Sequence, residues 1–221
     1  MPYETEIKLR IEDKAVLLRR LKKLRAKPVN GRSRQVHEMN VIFDTPPGDL
    51  GKRGQLLRIR TETLEPEGRR AIGAGARRPK QRILLTMKLP VAGHANWLPP
   101  EPRPRHKVRE ELELEVADAG TLSHIFEALG MKGWFRYEKY RTTFRLPASA
   151  AWAKGLLIEL DETPIGTFVE LEGPPTAIDR AAIELGFAKH DYIVENYLSL
   201  YVKACRVAGQ EPRDMLFPPS K

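Results

Sequence analysis

From Tyr3 to Ile11 the chain alternates without a break: Glu4, Glu6, Lys8 and Arg10 fall on one side, and Tyr3, Thr5, Ile7, Leu9 and Ile11 on the other. A period of two is that of a β-strand, whose successive side chains point to opposite faces. One such strand is ordinary, since a half-buried sheet shows one solvated polar face and one apolar face. What constrains this chain is the return of the pattern along the whole sequence, with charges of both signs on the polar side.

A second strand is predicted over 34–43, ended by the break Asp44-Thr45-Pro46-Pro47-Gly48. The third, 56–61, sets Arg58 and Arg60 against Leu57 and Ile59. Two arginines at that spacing point the same way about 7 Å apart, which suits neighbouring phosphate oxygens. Residues 83–89 place Thr86 and Lys88 on one face, and 108–116 set Arg109, Glu111, Glu113 and Glu115 against Leu112, Leu114 and Val116. Residues 137–146 pair Lys139 with Arg141 on one face, leaving Glu138 on the other as an exception that the alternation does not explain. The last two strands alternate Glu159 and Asp161 with Ile158 and Leu160, then Glu170 and Glu172 with Val169 and Leu171. Helices are predicted at about 13–25, capped by Asp13, at 118–129, capped by Asp118, and at 176–185 and 192–207. The similar ends Leu129-Gly130 and Leu185-Gly186 hint at an internal duplication.

Eight strands joined by turns and short helices fit an α+β fold: a closed eight-stranded antiparallel β-barrel with helices packed on its outside. One polar face of an open sheet rarely needs so many charges of both signs. A barrel with its charged face turned inward does, and it makes a chamber for a highly charged ligand. At 221 residues the chain suits one domain, assigned to 1–207, with the proline-containing 208–221 read as an unstructured tail.

A charged-residue content of 30% agrees with a charge-lined interior, and a net charge of +9 favours anionic partners without choosing among them. The basic, proline- and glycine-rich stretches 64–81 and 90–107 have no period and are read as exposed loops; Gly73 and Gly75 make only part of a phosphate-cradling loop. Cys205 is the single cysteine, read as a buried helical thiol, so no internal disulfide forms. With no apolar run near the roughly 20 residues of a membrane span and no signal peptide, a soluble cytoplasmic protein is expected, without a membrane partner and as a monomer or homodimer.

If the polar faces all turn inward, the lumen holds Lys8, Arg58, Arg60, Lys88, Arg109, Lys139 and Arg141 beside Glu4, Glu6, Glu111, Glu113, Asp161, Glu170 and Glu172. Unpaired buried ions cost several kcal/mol each, so water, metal and ligand must share such a chamber. Carboxylates on neighbouring strands are the hard oxygen ligands that Mg²⁺ or Mn²⁺ takes, and guanidinium and ammonium groups grip phosphate oxygens. Together they describe a site for a metal-bound triphosphate. Glu111 and Glu113 fit ion pairing with Arg109 or a neighbouring strand equally well. Glu115 and Glu159 are placed near a rim, and the five histidines, without ligand spacing, on the surface.

Glu4-Thr5-Glu6-Ile7-Lys8 resembles the E-x-E-x-K signature of the CYTH superfamily, the triphosphate tunnel metalloenzymes. Leu57-Arg58-Ile59-Arg60, Thr86-Met87-Lys88, the glutamates from Glu111, Lys139-Tyr140-Arg141, Glu159-Leu160-Asp161 and Phe168-Val169-Glu170-Leu171-Glu172 resemble its later motifs in the same order. The resemblance runs over about residues 1–203 and departs in the two long basic loops. It implies that Glu4, Glu6, Glu170 and Glu172 hold a metal, with Asp161 a further acid, and that Lys8, Arg58, Arg60, Lys88, Lys139 and Arg141 bind phosphate. Glu4, Glu6, Lys8, Glu111 and Glu113 form the implied catalytic set, the last two holding a second metal or orienting water. The implied activity is hydrolysis of inorganic tripolyphosphate, thiamine triphosphate or a nucleoside triphosphate. An adenylate cyclase of the same fold, converting ATP to cyclic AMP and pyrophosphate, is the nearest alternative. A non-catalytic polyphosphate or nucleic-acid binder is a further one, disfavoured for nucleic acid by the lack of aromatic residues among the basic loops.

Overall fold

The computed structural model describes residues 3–29, 35–64, 81–91 and 105–219. The strands run β1 (Tyr3–Ile11), β2 (Lys27–Pro28), β3 (Val36–Asp44), β4 (Leu56–Leu64), β5 (Gln81–Pro90), β6 (Lys107–Val116), β7 (Lys132–Arg145), β8 (Leu157–Thr163) and β9 (Gly166–Glu172). The helices are α1 (Lys14–Lys23), α2 (Asp49–Lys52), α3 (Ala119–Ala128), α4 (Pro175–Glu184) and α5 (Tyr197–Val207). Eight strands close a ring in the order β7-β3-β4-β5-β6-β1-β9-β8, with β8 pairing back onto β7, and every pairing is antiparallel. The two-residue β2, where the sequence suggests only a turn, pairs with the end of β7 beyond the point where β3 leaves it. The loop segments 65–80 and 92–104, including Gly73 and Gly75, lie outside the described residues.

The ring has an internal symmetry of connection. Exchanging β1, β3, β4 and β5 with β6, β7, β8 and β9 maps the strand order onto itself, and α1 then corresponds to α3. The duplicated unit is therefore β-α-β-β-β. Its helices are α1 and α3, whereas the similar sequence endings belong to α3 and α4.

Outward side chains build the core. Ile7, Leu9, Ile158, Val169 and Leu171 are fully buried beneath α1 and α4, which contribute Leu17, Leu21, Ile178 and Ala181. Each such aliphatic side chain contributes about 2 kcal/mol relative to exposure. On the opposite wall Phe43, Leu57 and Ile59 pack with Leu122 and Phe126 of α3. A third cluster, Phe135, Tyr137, Phe168, Tyr197 and Met215, brings α5 across one end of the barrel. Cys205 of α5 is buried, as expected. The helix caps also follow the sequence: Asp13 accepts from the Ala15 and Val16 N–H groups, and Asp118 from that of Thr121.

The segment read as an unstructured tail lies along β7. Met215 is 1% exposed, its N–H donates to the Arg136 carbonyl (2.9 Å), and the Glu138 N–H donates to its carbonyl (3.1 Å). Glu138 itself faces outward, contacting His37 Nε2 at 2.7 Å and accepting from the Phe217 N–H at 2.6 Å. Its place opposite Lys139 is thus that of a tail anchor. Composition missed this because three prolines prevent regular structure without preventing docking. Among the described residues, no helix is long and apolar enough to cross a membrane.

The turn after β9 depends on Gly173. It adopts φ +145°, and a Cβ placed there would stand 2.7 Å from the Gly155 carbonyl oxygen. Gly173→Ala is expected to destabilise the fold by about 2 kcal/mol or more. Urea unfolding checks this; an unchanged midpoint would mean that the turn relaxes freely.

Candidate functional site

Residues directly opposite on neighbouring strands share a face, so pairing register assembles the inner wall. Glu6 lies opposite Lys107 on β6 and Glu172 on β9, and Lys8 opposite Glu170. Glu170 in turn opposes Glu159, Asp161 opposes Arg141, and Lys139 opposes Glu38. Asn40 opposes Arg60, Arg58 opposes Thr86, Thr86 opposes Glu113, and Lys88 opposes Glu111. The charged faces read from the sequence therefore converge on one lumen.

The deepest level is built on Asp161, which is fully buried. It accepts from Arg141 Nε and Nη2 (2.7 Å each), from Lys139 Nζ (2.9 Å) and from the Tyr197 hydroxyl (2.7 Å). The Tyr197 ring, delivered by the first turn of α5, lies 5.3 Å from Lys8 Nζ and 5.4 Å from Lys139 Nζ. This helix closes one end of the lumen, a role beyond the outer covering expected of it. Above this level Lys8 bridges Glu170 (3.0 Å) and Glu6 (3.2 Å), while Glu6 also pairs with Lys107 and Glu170 with Arg141. Glu38 sits among Arg60 (3.4 Å), Lys139 (3.4 Å) and Arg141 (3.5 Å). Nearer the mouth Glu4 pairs with Lys88, which also reaches Glu111 at 3.3 Å; Arg58 stands 4.0 Å from Glu111, and Thr86 donates to Glu113 at 3.4 Å.

This pairing splits the carboxyls into two electrostatic groups. For Glu6 and Glu38 burial alone would raise the pKa, but Lys107 and Lys8 in one case, and Arg60, Lys139 and Arg141 in the other, outweigh it and hold both well below the carboxylate range. Glu170 is depressed in the same way by Lys8, Lys139 and Arg141. Glu172 has no such partner: burial, then Glu159 and Glu4, push it up to about 8. Burial also raises Glu159 to about 7 against the opposing pull of Arg141, and raises Glu4. Carboxylates that resist ionising because of one another mark a place where a cation is favoured.

Three buried polar atoms in the lumen make no hydrogen bond: Arg58 Nε, Asn40 Nδ2 and Glu38 Oε2. Arg58 is 5% exposed, with its other nitrogens donating to Tyr137 Oη (3.2 Å) and Thr86 Oγ1 (3.3 Å). The Asn40 amide is fixed by Arg60, which donates to its Oδ1 at 3.2 Å. Two neighbouring strands thus hold an unpartnered N–H donor each. Buried donors are almost always satisfied, and such exceptions point to a missing ligand or water.

Two cavities adjoin this network. One, of about 410 Å³, is lined by Tyr3, Glu4, Arg60, Lys88, Glu111, Glu113, Arg141, Glu159 and Glu172, and is mainly polar. The other, of about 850 Å³, lies among the β3–β6 ends, the start of β7, α5 and the tail. Lys88 lines both.

Of the sequence-predicted residues, Arg109 departs from the set. Its side chain donates to the Gly54 carbonyl and lines the larger cavity, because β6 enters the barrel wall at that end. Glu111 pairs with Lys88 and Arg58 and not with Arg109. Glu115 is on the rim with Arg82, whereas Glu159, also placed at a rim, is 7% exposed and pairs with Arg141 inside. Glu38, Asn40, Lys107, Tyr137 and Tyr197 were missed. For Glu38 and Asn40 the signal was present, since both share the polar side of the alternation over 36–43.

Among the described residues no three His, Cys, Asp or Glu side chains stand in metal-holding geometry. Lysines occupy the intervening positions at Glu4 and Glu6. The donor chemistry nonetheless fits a hard divalent cation: Glu4 and Glu172 are carboxylates whose proximity raises the pKa of each, a tension that a cation relieves.

A family model described as CYTH domain matches residues 2–186. Among solved structures, a presumed adenylate cyclase of Vibrio parahaemolyticus aligns with a TM-score of 0.64 at 17% identity, covering 90% of this chain and 97% of that one. The PH1819 protein of Pyrococcus horikoshii aligns at 0.63 and 21% identity, covering 91% and 99%. HpAC1 of Hippeastrum, a presumed adenylyl cyclase described as having a dominant triphosphatase activity, aligns at 0.50 and 20% identity, covering 95% and 97%. At these identities the likeness is one of fold. Comparison with curated protein sequences returns no significant match.

Proposed function

The chain belongs to the CYTH domain family, and from that membership we propose that it is a divalent-metal-dependent phosphohydrolase acting on a triphosphate held in the barrel lumen. The observation that carries this reading is the pair of unpartnered buried donors, Arg58 Nε and Asn40 Nδ2, set in a wall of cations that faces unpaired carboxyls at the mouth. Donors on one side and hard oxygen ligands on the other suit a polyanion bound together with a metal.

In this reading Arg58, Arg60, Lys88 and Asn40 take the phosphate oxygens, with Lys8, Lys139 and Arg141 supplying the field from below. Glu4, Glu6 and Glu172 hold Mg²⁺ or Mn²⁺, which when bound neutralises charge on the phosphate oxygens. Asp161 and Glu170 are already engaged by the deep cations and keep these in place. Glu111 and Glu113 orient a water at the mouth and take its proton as its oxygen attacks the terminal phosphorus. The bond to the bridging oxygen breaks, and the shortened phosphate chain leaves with that oxygen.

The deciding experiment incubates the protein with ATP and with inorganic triphosphate, each with Mg²⁺ or Mn²⁺, and identifies the products. Free orthophosphate is expected; cyclic AMP with pyrophosphate would replace the hydrolase by a cyclase, and metal-independent binding without turnover would leave a binder. Arg58→Ala is expected to raise KM about tenfold to a hundredfold, the loss of one or two charge-assisted hydrogen bonds. An unchanged KM would remove Arg58 from the phosphate site.

A further inference from the structure

The two cavities differ in chemistry as well as in size. The smaller, at the carboxylate mouth, is narrow and charged. The larger has apolar walls that include Phe43, Leu56, Trp134, Phe135, Leu198 and Val202, and its cations Lys88, Lys107 and Arg109 lie on the side of the barrel. Its two carboxylates are already engaged. Asp44 accepts from the Thr45, Leu50 and Gly51 N–H groups, and Asp214 accepts from the Arg136 backbone and guanidinium. What this chamber offers is an apolar seat, a partly exposed indole at its edge and positive charge toward the lumen. That combination suits a ring system carrying an anionic chain.

We propose that the larger cavity seats the organic group of the substrate, so that this enzyme acts on an organic triphosphate with an aromatic or heterocyclic ring in preference to inorganic triphosphate. This rests on the hydrolase reading. With the ring in that chamber, the phosphate chain passes Lys88, the residue common to both cavities, and its terminal phosphorus arrives at the mouth beside Glu4, Glu111 and Glu172. The orientation selects the bond: water attacks the terminal phosphorus and the organic diphosphate departs. The opposite orientation, which would bring the inner phosphorus to the carboxylates, leaves the ring in the polar mouth without an apolar wall.

The test compares kcat/KM for ATP, thiamine triphosphate and inorganic triphosphate, measured by orthophosphate release in the full chain and in Val202→Trp and Trp134→Ala. At least one organic substrate is expected to exceed inorganic triphosphate by about tenfold or more, the value of one good stacking contact. Its other product should be the organic diphosphate. Val202→Trp, which fills the chamber, should abolish that preference while leaving inorganic triphosphate within about threefold of wild type. Trp134→Ala should lower it in the same selective way without filling the chamber. Inorganic triphosphate preferred by the wild type, or all three substrates affected equally by both variants, would overturn the inference and keep the hydrolase. No orthophosphate from any of the three ends both readings.

Discussion

Glu4→Gln is expected to lower metal-dependent turnover by about a thousandfold or more while the barrel stays folded, its thermal midpoint within about 3 °C of wild type. The two halves of this prediction come from the position of Glu4. It lies near the mouth and pairs with Lys88, which keeps Glu111 at 3.3 Å when Glu4 loses its charge. Little is therefore left unpaired in the fold. The amide keeps the shape and removes the charge that a divalent cation requires from its ligand. Glu6→Gln makes an instructive contrast: Glu6 is 6% exposed and holds both Lys8 and Lys107, so its loss strands two buried ammonium groups and should also destabilise the protein. Orthophosphate release with Mg²⁺ or Mn²⁺, alongside urea unfolding, checks the pair. Glu4→Gln activity within tenfold of wild type would remove Glu4 from the chemistry.

The same pairing predicts how ligands enter. In the present arrangement the acids and bases of the lumen neutralise one another, so a triphosphate arriving alone must break Lys88 from Glu4 and Lys107 from Glu6, and a cation alone must do likewise. A cation taking Glu4 releases Lys88 for a phosphate oxygen, and a phosphate taking Lys88 releases Glu4 for the cation. Each ligand removes part of the cost of the other, which makes their binding positively coupled and, by linkage, reciprocal.

How much of this was legible beforehand follows from which residues obey a local period. Glu4, Glu6, Lys8, Arg58, Arg60, Lys139 and Arg141 sit mid-strand, where alternation alone assigns a face. Lys107 begins its strand at the end of a proline-rich stretch, and only the pairing of Glu6 with Lys107 shows that it points inward. Tyr197 comes from a helix whose own apolar stripe gives no reason for one ring to enter the barrel end. Arg109 has the right parity and the wrong height: alternation fixes a face but not the position along the barrel axis, and that height places it in the other cavity. The tail was misread for a related reason, because Met215 and Phe217 dock as single anchors without any repeat to announce them.

Asp161 carries the largest expected effect on stability. Its carboxylate is the meeting point of Arg141, Lys139 and Tyr197, with no exposed surface. Asp161→Ala leaves a guanidinium and an ammonium buried, with only Glu38, Glu159 and Glu170 still in reach, and breaking a buried pair in this way costs about 3–5 kcal/mol. Against a total stability of about 5–15 kcal/mol, that brings the protein close to unfolding at ordinary temperature. Tyr197→Phe, which removes one neutral donor and keeps the ring under Lys8 and Lys139, should cost only about 1 kcal/mol. The ratio between the two is the informative quantity. A large loss for Asp161→Ala beside a small one for Tyr197→Phe means that the lower end of the lumen is dry and held by charge, whereas equally small losses would mean that water reaches Arg141 and Lys139 and screens them. In a wet lumen these cations would need no carboxylate to stay in place, and Asp161 would be free to bind metal after all.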